Sequence, residues 1–456
     1  MEIEFGTDGW RTTVEEFTEP RIRTVGQAVA DYLSAEGEDA PVAVGYDPRE
    51  GSRVAAEELA RVLCANGFDA LVPGRDTPTP VVAWSVTDRE LAGALQVTAS
   101  HNPPSSNGIK FIPADGAPAL PEVTDRLAAE LKPPEPLAED QWGSVRERDL
   151  VGPYLDHALT FVDADLDDLE LAYDAMHGSG RGVTDDLLSR AGADITRLRD
   201  DRDPTFGDSS PEPTAEHLEA LERTVRSGDA ELGIANDGDA DRLAVVTPEG
   251  GVLDPNWVFV TLYDYLLETG AGDAVRTVST TALVDRIAEA NGHAVHETAV
   301  GFKWVAGAMA DHGAIAGGEE SGGFGITAHL RNKDGVLVAL VAAAAHAAEP
   351  IDDRIDRLRA EHGDIVQNRR SVDCPDDRKA AVIERLGAEI PETVAGSGVD
   401  RVGRKDGFKL FLEEGSWLLA RPSGTEPKLR VYAEAGTEER VDELLSAGVA
   451  LLEPLV

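Results

Sequence analysis

Apolar residues along the first third of the chain follow two alternating spacings. Val25, Ala28, Val29, Tyr32 and Leu33 recur at three and four positions, the repeat of a helix with one buried face. Pro41 then leads into the short apolar run Val42-Ala43-Val44, which predicts a buried strand. A second helical repeat from Ala55 to Leu63 precedes the strand Ala70-Leu71-Val72, and another strand, Ala94-Leu95-Gln96-Val97, ends at Thr98-Ala99-Ser100. Strands alternating with helices predict parallel βαβ units. In such sheets the chemistry gathers on loops beyond the carboxyl ends of strands, where Ser100 falls.

The alternation continues past a proline-rich surface linker, Lys132 to Pro136, and a helix from Tyr154 to Val162. A second α/β unit runs from the strand Leu171-Ala172-Tyr173 to Leu243-Ala244-Val245-Val246 and includes a helix over Ala215 to Val225. A third begins near Trp257 and closes with the helix Val336 to Ala348. Beyond about residue 364, Lys409 to Leu412, Trp417 to Leu419 and Leu429 to Tyr432 read as short antiparallel strands, followed by a helix from Glu438 to Leu452. The expected fold is therefore three mixed α/β domains (1–150, 151–252, 253–363) and a C-terminal α+β domain (364–456). A chain of 456 residues needs such a division, because single cores stop growing below about 300 residues.

Charge narrows the possible partners. With 85 acidic and 42 basic residues, a formal net charge of -43, the surface repels nucleic acid and anionic membranes. The acids are spread along the whole chain, which favours a solvated surface adapted to high salt over a docking tail for a cationic partner. The apolar stretch Val336 to Ala348 falls short of the roughly 20 residues needed to cross a bilayer. The N-terminus lacks a secretory pattern, so a soluble cytoplasmic protein is expected. Cys64 and Cys374 lie far apart, with no spacing that suggests a disulfide framework or thiolate metal site.

Each unit carries one polar or glycine-rich segment. The first is Thr98-Ala99-Ser100-His101-Asn102-Pro103-Pro104, with Asn107-Gly108-Ile109-Lys110 close behind. Turn-prone residues at a strand end make an exposed, rigid loop. A serine there can accept and donate a phosphoryl group, with His101 and Lys110 trading the proton. The same hydroxyl could equally cap a structural turn. A G-x-S-x-G elbow is absent, which argues against an esterase.

The second segment is Asn236-Asp237-Gly238-Asp239-Ala240-Asp241-Arg242, whose alternate carboxylates can converge on a hard cation such as Mg2+. An EF-hand would need glycine and glutamate where Arg242 and Pro248 stand. A solvated acidic loop is the alternative, although apolar segments flank the cluster on both sides. The third segment is Gly317-Gly318-Glu319-Glu320-Ser321-Gly322-Gly323, with Gly301-Phe302-Lys303-Trp304 upstream. It is either a sugar-hydroxyl loop or a simple glycine-rich turn. The fourth, Arg421-Pro422-Ser423-Gly424-Thr425-Glu426-Pro427-Lys428, has the arginine, hydroxyls and tight backbone that a phosphate dianion requires. Neither a Walker loop nor a G-x-G-x-x-G dinucleotide spacing is present, the latter failing at Gly178-Ser179-Gly180-Arg181-Gly182.

In this order, and together with Phe5-Gly6-Thr7-Asp8-Gly9-Trp10-Arg11, the four segments closely resemble the α-D-phosphohexomutase family over nearly the full chain. The resemblance implies four domains around a central cleft. It makes Ser100 a phosphoserine whose phosphate helps Asp237, Asp239 and Asp241 to hold Mg2+. Arg11 and Arg242 would steady the phosphoryl group, and Lys110 would act as general base with His101 assisting. Glu319 and Ser321 would hold sugar hydroxyls with support from Lys303. Arg421, Ser423, Gly424 and Thr425 would grip the phosphate that is not reacting. A hexose 1,6-bisphosphate would serve as primer and intermediate.

The resemblance points to glucose phosphates first, then to a dual glucose/mannose enzyme or a glucosamine enzyme. A serine-dependent phosphatase and an inactive sugar-phosphate-binding relative are the rivals from other classes. Monomer and homodimer stay open. The charge surplus carries its own test. If the surface is adapted to salt, the melting temperature measured by scanning calorimetry rises steadily from low salt to about 2 M KCl, as screening shortens the Debye length to a few ångström.

Overall fold

Short apolar runs become strands buried along their whole length, as in Val42–Tyr46, Gly93–Val97 and Leu232–Asn236, because helices cover the sheets. The computed structural model describes residues 3, 5–6, 9–424 and 426–456, and these form four sheets in succession along the chain.

The first three sheets share one four-strand arrangement. In the first, Val42–Tyr46 pairs in parallel with Ala70–Val72 on one side and Gly93–Val97 on the other, and Ser106–Pro113 then returns antiparallel beside Gly93–Val97. The second repeats this with Glu170–Asp174, Asp194–Leu198, Leu232–Asn236 and Leu243–Thr247. The third does so with Ala274–Thr277, Val295–Thr298, Ala316–Gly318 and Phe324–Ile326. The expectation of parallel units is corrected at the fourth strand of each, which a short turn forces to be antiparallel. That turn is the polar segment identified in the sequence: Thr98 to Ser105, Asp237 to Arg242, and Glu319 to Gly323. The last sheet is antiparallel, and its segment again joins neighbouring strands, Trp417–Pro422 and Lys428–Ala435.

One further sequence expectation changes. The helix over Ala215 to Val225 begins later, at Glu219, and ends at Arg226. Before it the chain makes a turn in which His217 Nδ1 lies 2.7 Å from the Glu212 carbonyl. Arg199 takes the His217 carbonyl (3.0 Å) that an earlier helix would need as an acceptor. The stretch Lys132 to Pro136 carries no helix or strand, as a surface linker should, and it lies inside the first unit. The chain beyond it bonds back to Ala65 and adds Val145–Glu147 to the first sheet, parallel to Ala70–Val72.

The core also crosses the units. Val82, Tyr154, Val245, Phe259 and Leu337 belong to one continuous apolar cluster spanning the first three sheets. Its centre is the helix Gly335–Ala348, capped by Asp334, which accepts from the N–H groups of Val336 and Leu337. The helix packs on Leu232–Asn236 and Leu243–Thr247 of the second sheet as well as on Pro255–Thr269. Among the described residues no single helix is long and apolar enough to cross a membrane. The last sheet keeps a separate core with Val382, Leu410, Val431 and Leu444.

The start of the central helix touches the aspartate loop. A side chain at Gly335 would sit 2.7 Å from the Ala240 carbonyl oxygen and closer still to that of Arg242. Neither backbone atom can yield without moving the loop. Gly335→Ala should therefore destabilise the protein by about 1–3 kcal/mol, read as a lower midpoint in urea unfolding.

Candidate active site

Ser100 stands three residues beyond the strand Gly93–Val97, in a left-handed conformation with φ 53°. Its N–H donates to Thr98 Oγ1 at 2.8 Å, and its Oγ donates to Asp237 Oδ2 at 2.8 Å. The serine loop of the first sheet is thereby joined to the aspartate loop of the second. The register of the first sheet sets its companions. Lys110 lies opposite Gln96, and Arg11, on the strand Gly9–Thr13, lies opposite Gly108. Arg11 Nη1 reaches Asn102 Oδ1 in the serine loop at 3.3 Å.

Asp237, Asp239 and Asp241 are fully buried, and one carboxylate oxygen from each lies within 4.8 Å of the others. Three like charges that close, out of water, repel strongly. Part of the repulsion is met by cations: Lys110 Nζ donates to Asp239 Oδ2 and Asp241 Oδ2, both at 2.9 Å, and Lys333 Nζ sits 2.9 Å from Asp241 Oδ2. Burial pushes the Asp237 carboxyl well up, with Asp239 and Asp241 adding to the effect. Burial also disfavours the charged form of Asp241, but Lys110, Lys333 and Arg242 outweigh it and hold that carboxyl well below its usual range.

Two oxygens are left over. Asp239 Oδ1 and Asp241 Oδ1 are buried and, among the described residues, accept no hydrogen bond. Orphaned acceptors at an all-oxygen site fit a hard divalent cation, which would satisfy them and cancel the repulsion. The residues present therefore suit the metal that the sequence suggests.

His101 is held neutral: burial, then Arg242 and Arg11, bring its pKa down to about 2. Its Nε2 lies 3.4 Å from Arg242 Nη2, which can only donate, so the ring proton belongs on Nδ1. That nitrogen is 3.4 Å from Ser100 Oγ and faces the serine as a donor. Arg242 also donates its N–H to Asp237 Oδ1 at 3.1 Å.

Glu319 is buried in the turn of the third sheet and accepts the Gly301 N–H at 3.0 Å. Ser321, two residues on, is exposed, and Lys303 is half-buried with its Nζ 5.7 Å from the Trp304 ring centre. In the last sheet Arg421 Nε donates to Asp406 Oδ2 at 2.8 Å, and the same oxygen accepts the Val300 N–H at 3.2 Å. The Arg421 loop is thus tied to the chain just before Gly301. Lys379 Nζ donates to the Ser423 carbonyl at 2.7 Å, Ser423 is buried and Gly424 is exposed. Thr425 lies outside the described residues, as do Thr7 and Asp8 of the N-terminal segment.

The structure brings Ser100, His101, Lys110, Arg11, Arg242 and the three aspartates together. Glu319 joins them through its electrostatic coupling to Lys333 and Arg242. Lys303 and Ser321 belong to the third unit and Arg421, Ser423 and Gly424 to the fourth, with Arg421 linked to the third through Asp406 and Val300. Sequence reasoning missed Lys333 and Thr79. Lys333 was visible in Asn332-Lys333-Asp334, but nothing assigned it to the aspartates. Thr79, whose Oγ1 donates to Asp239 Oδ2 at 2.7 Å, carries no local signal. The glycine run at 178–182 also finds its use: a side chain at Gly178 would meet the carbonyls of Asp237 and Gly238.

This architecture is shared with known proteins. Family profiles for domains I, II, III and IV of phosphoglucomutase/phosphomannomutase match residues 2–136, 152–250, 254–362 and 371–449. A phosphoglucomutase/phosphomannomutase of Thermococcus kodakarensis is 32% identical over 98% of both chains. A Methanopyrus kandleri chain carrying the name phosphoglucosamine mutase is 33% identical over 96% of this chain and 95% of its own. A crystal structure from Thermus thermophilus, assigned to phosphomannomutase, superposes with a TM-score of 0.85 at 30% identity over 99% of both chains. Four such domains in this order define an intramolecular phosphotransferase of the isomerase class. The chain belongs to the phosphoglucomutase/phosphomannomutase family.

Glu319 gives this site a pH signature. Burial, partly offset by Lys333 and reinforced by Glu320, raises its pKa from 4.5 to about 7. Between those values the folded chain keeps a proton that the unfolded chain has lost, so stability falls as pH rises through that window. Glu319→Gln should remove up to about 3 kcal/mol of that fall, measured as the difference in urea unfolding free energy between pH 5 and pH 8.

Proposed function

We propose that this enzyme interconverts hexose 1-phosphate and hexose 6-phosphate, with glucose as its preferred sugar, through a phosphorylated Ser100 and a hexose 1,6-bisphosphate. The observation that carries the reading is the Ser100 Oγ bonded to Asp237 beside two buried carboxylate oxygens that lack partners among the described residues. Asp237, Asp239 and Asp241 would hold Mg2+ together with an oxygen of the seryl phosphate. A cation held there would supply Lewis-acid polarisation of the phosphoryl group, making the phosphorus a better electrophile.

The chain's own residues do the rest. Arg11 and Arg242 steady the phosphoryl oxygens, and neutral His101 offers its Nδ1–H to the seryl oxygen. With the bound cation neutralising the aspartates in place of Lys110, that lysine would shed its proton, and as the P–O bond to Ser100 breaks and a bond to sugar O6 forms, neutral Lys110 takes the O6 proton. The bisphosphate then turns end for end, the O1 phosphoryl group returns to Ser100, and the proton goes back to O1. Glu319, Ser321 and Lys303 hold the sugar hydroxyls. Arg421, Ser423, Gly424 and Thr425 grip whichever phosphate is idle, so that binding energy far from the reacting atoms keeps the turn productive. The division at 150, 252 and 363 would put the phosphate-carrying serine, the three aspartates, the sugar contacts and the grip on the idle phosphate in one domain each.

A loop that grips O3 and O4 does not read C2, so mannose is the second substrate in this reading. The relative named as a phosphoglucosamine mutase makes glucosamine the third sugar to try. The 1-phosphates of all three, each primed with its bisphosphate and Mg2+ at high salt, should rank glucose first; a preference for glucosamine overturns the substrate assignment. Mass spectrometry of the wild type should find a phosphopeptide at Ser100, and Ser100→Ala should remove it and lower kcat by about a thousandfold or more. Release of inorganic phosphate in step with substrate loss would instead identify a phosphatase.

A further inference from the structure

Ser100 is held from behind by a turn that the reaction itself does not use. The strand Val42–Tyr46 lies beside Gly93–Val97 with Tyr46 opposite Val97, so Asp47-Pro48-Arg49 emerges next to the serine loop. Arg49 is 1% exposed, yet its guanidinium is fully engaged. Nη2 donates to the carbonyls of Ser100 (2.6 Å) and Asn102 (2.7 Å), and Nη1 to those of Pro103 (2.7 Å) and Ser106 (3.0 Å). Nε donates to Asp47 Oδ2 at 2.9 Å. Asp47 also accepts from Thr98 Oγ1 (2.7 Å) and Ser52 Oγ (2.8 Å), and Thr98 Oγ1 receives the Ser100 N–H. The second unit clasps the same turn: Phe206 lies under the guanidinium at 4.9 Å, and Arg202 donates to the Pro48 carbonyl at 2.8 Å.

Four loop carbonyls drawn to one guanidinium fix the orientation of their peptide planes. Because a trans peptide points its C=O and N–H in opposite directions, turning the Ser100 carbonyl toward Arg49 turns the His101 N–H away from it. Among the described residues that N–H has no acceptor. The same constraint keeps Ser100 in the left-handed region, which side chains rarely adopt.

We propose that Arg49, braced by Asp47 and Thr98, is the positioning residue of the phosphate-carrying loop: it holds Ser100 so that Oγ faces Asp237 and the His101 N–H is free to meet an oxygen of the seryl phosphate. Arg49 acts through the loop and touches neither sugar nor phosphate. The proposal rests on Ser100 being the phosphate carrier. A planar fork of five donors suits four converging carbonyls and a carboxylate, whereas a lysine with three donors at one point does not.

Arg49→Lys, Thr98→Val and Thr98→Ser test it in the full-length enzyme with Mg2+. Phosphopeptide mapping of the wild type comes first, because absence of phosphate on Ser100 there would refute the carrier reading rather than this one. With the carrier confirmed, Arg49→Lys should lower kcat by about a hundredfold while the KM for hexose 1-phosphate stays within about threefold. The single-turnover rate of phosphate transfer from Ser100 should fall in parallel, in protein shown to be folded by near-UV circular dichroism. Thr98→Val replaces only the hydroxyl and should act in the same direction, and Thr98→Ser should recover most of the loss. If Arg49→Lys does not fold, the Thr98 pair decides. A kcat within about threefold of wild type in folded Arg49→Lys or Thr98→Val overturns the proposal. So does a loss that only tracks the unfolded fraction.

Discussion

Three carboxylates sharing one buried pocket are the constraint around which this protein is built. In water they would separate, but inside the fold Asp237, Asp239 and Asp241 are held within 4.8 Å by a turn whose two strands are locked in register. Lysines from two other segments, a threonine from a third and a serine from a fourth converge on them. No single unit could supply that neutralisation. The aspartate loop therefore dictates that the first three sheets pack as one body, and their shared apolar cluster is the means.

The arrangement is economical in topology. The first three sheets share a unit of two parallel pairings followed by an antiparallel return, and the serine, aspartate and glutamate loops all occupy that return turn. A short connection between antiparallel strands has few conformations available, so the groups it carries are placed by backbone geometry more than by side-chain packing. The left-handed φ of Ser100 is the clearest instance. The contacts that brace it come from elsewhere, with Arg49 and Asp47 drawn from the turn after the strand Val42–Tyr46 of the same sheet.

Much of this was legible in the sequence because it is local. Strand and helix periodicity located most elements, and the chemistry-bearing loops announced themselves as polar interruptions between apolar runs. What was not legible depends on distant partners. Thr79 reads as an ordinary first-turn residue until Asp239, 160 positions away, accepts its hydroxyl. Arg49 reads as a surface arginine in an acidic protein, and only the fold shows it almost wholly enclosed. The late start of the helix Glu219–Arg226 has the same origin, since Arg199 claims a carbonyl that local propensity assigns to the helix. The antiparallel return strand escaped because a strand's direction depends on the length of the connection before it, not on the pattern within it.

The last sheet stands apart from the rest, with its own core and a largely polar seam to its neighbour. That seam includes Val278 against Trp417, Leu419 and Tyr432, the buried Lys409 between Glu297 and the Val278 carbonyl, and hydrogen bonds from the Val300 N–H to Asp406, from Asn256 to Gln367 and from the Ala282 N–H to Glu434. Cooperativity should follow this division: the first three units share one fate on heating, while the fourth can loosen at lower cost. Because the Arg421 loop belongs to the fourth unit, any ligand bridging it to the first three acts as a mechanical cross-link. Its affinity then reports the work of closing the seam as well as the contacts it makes.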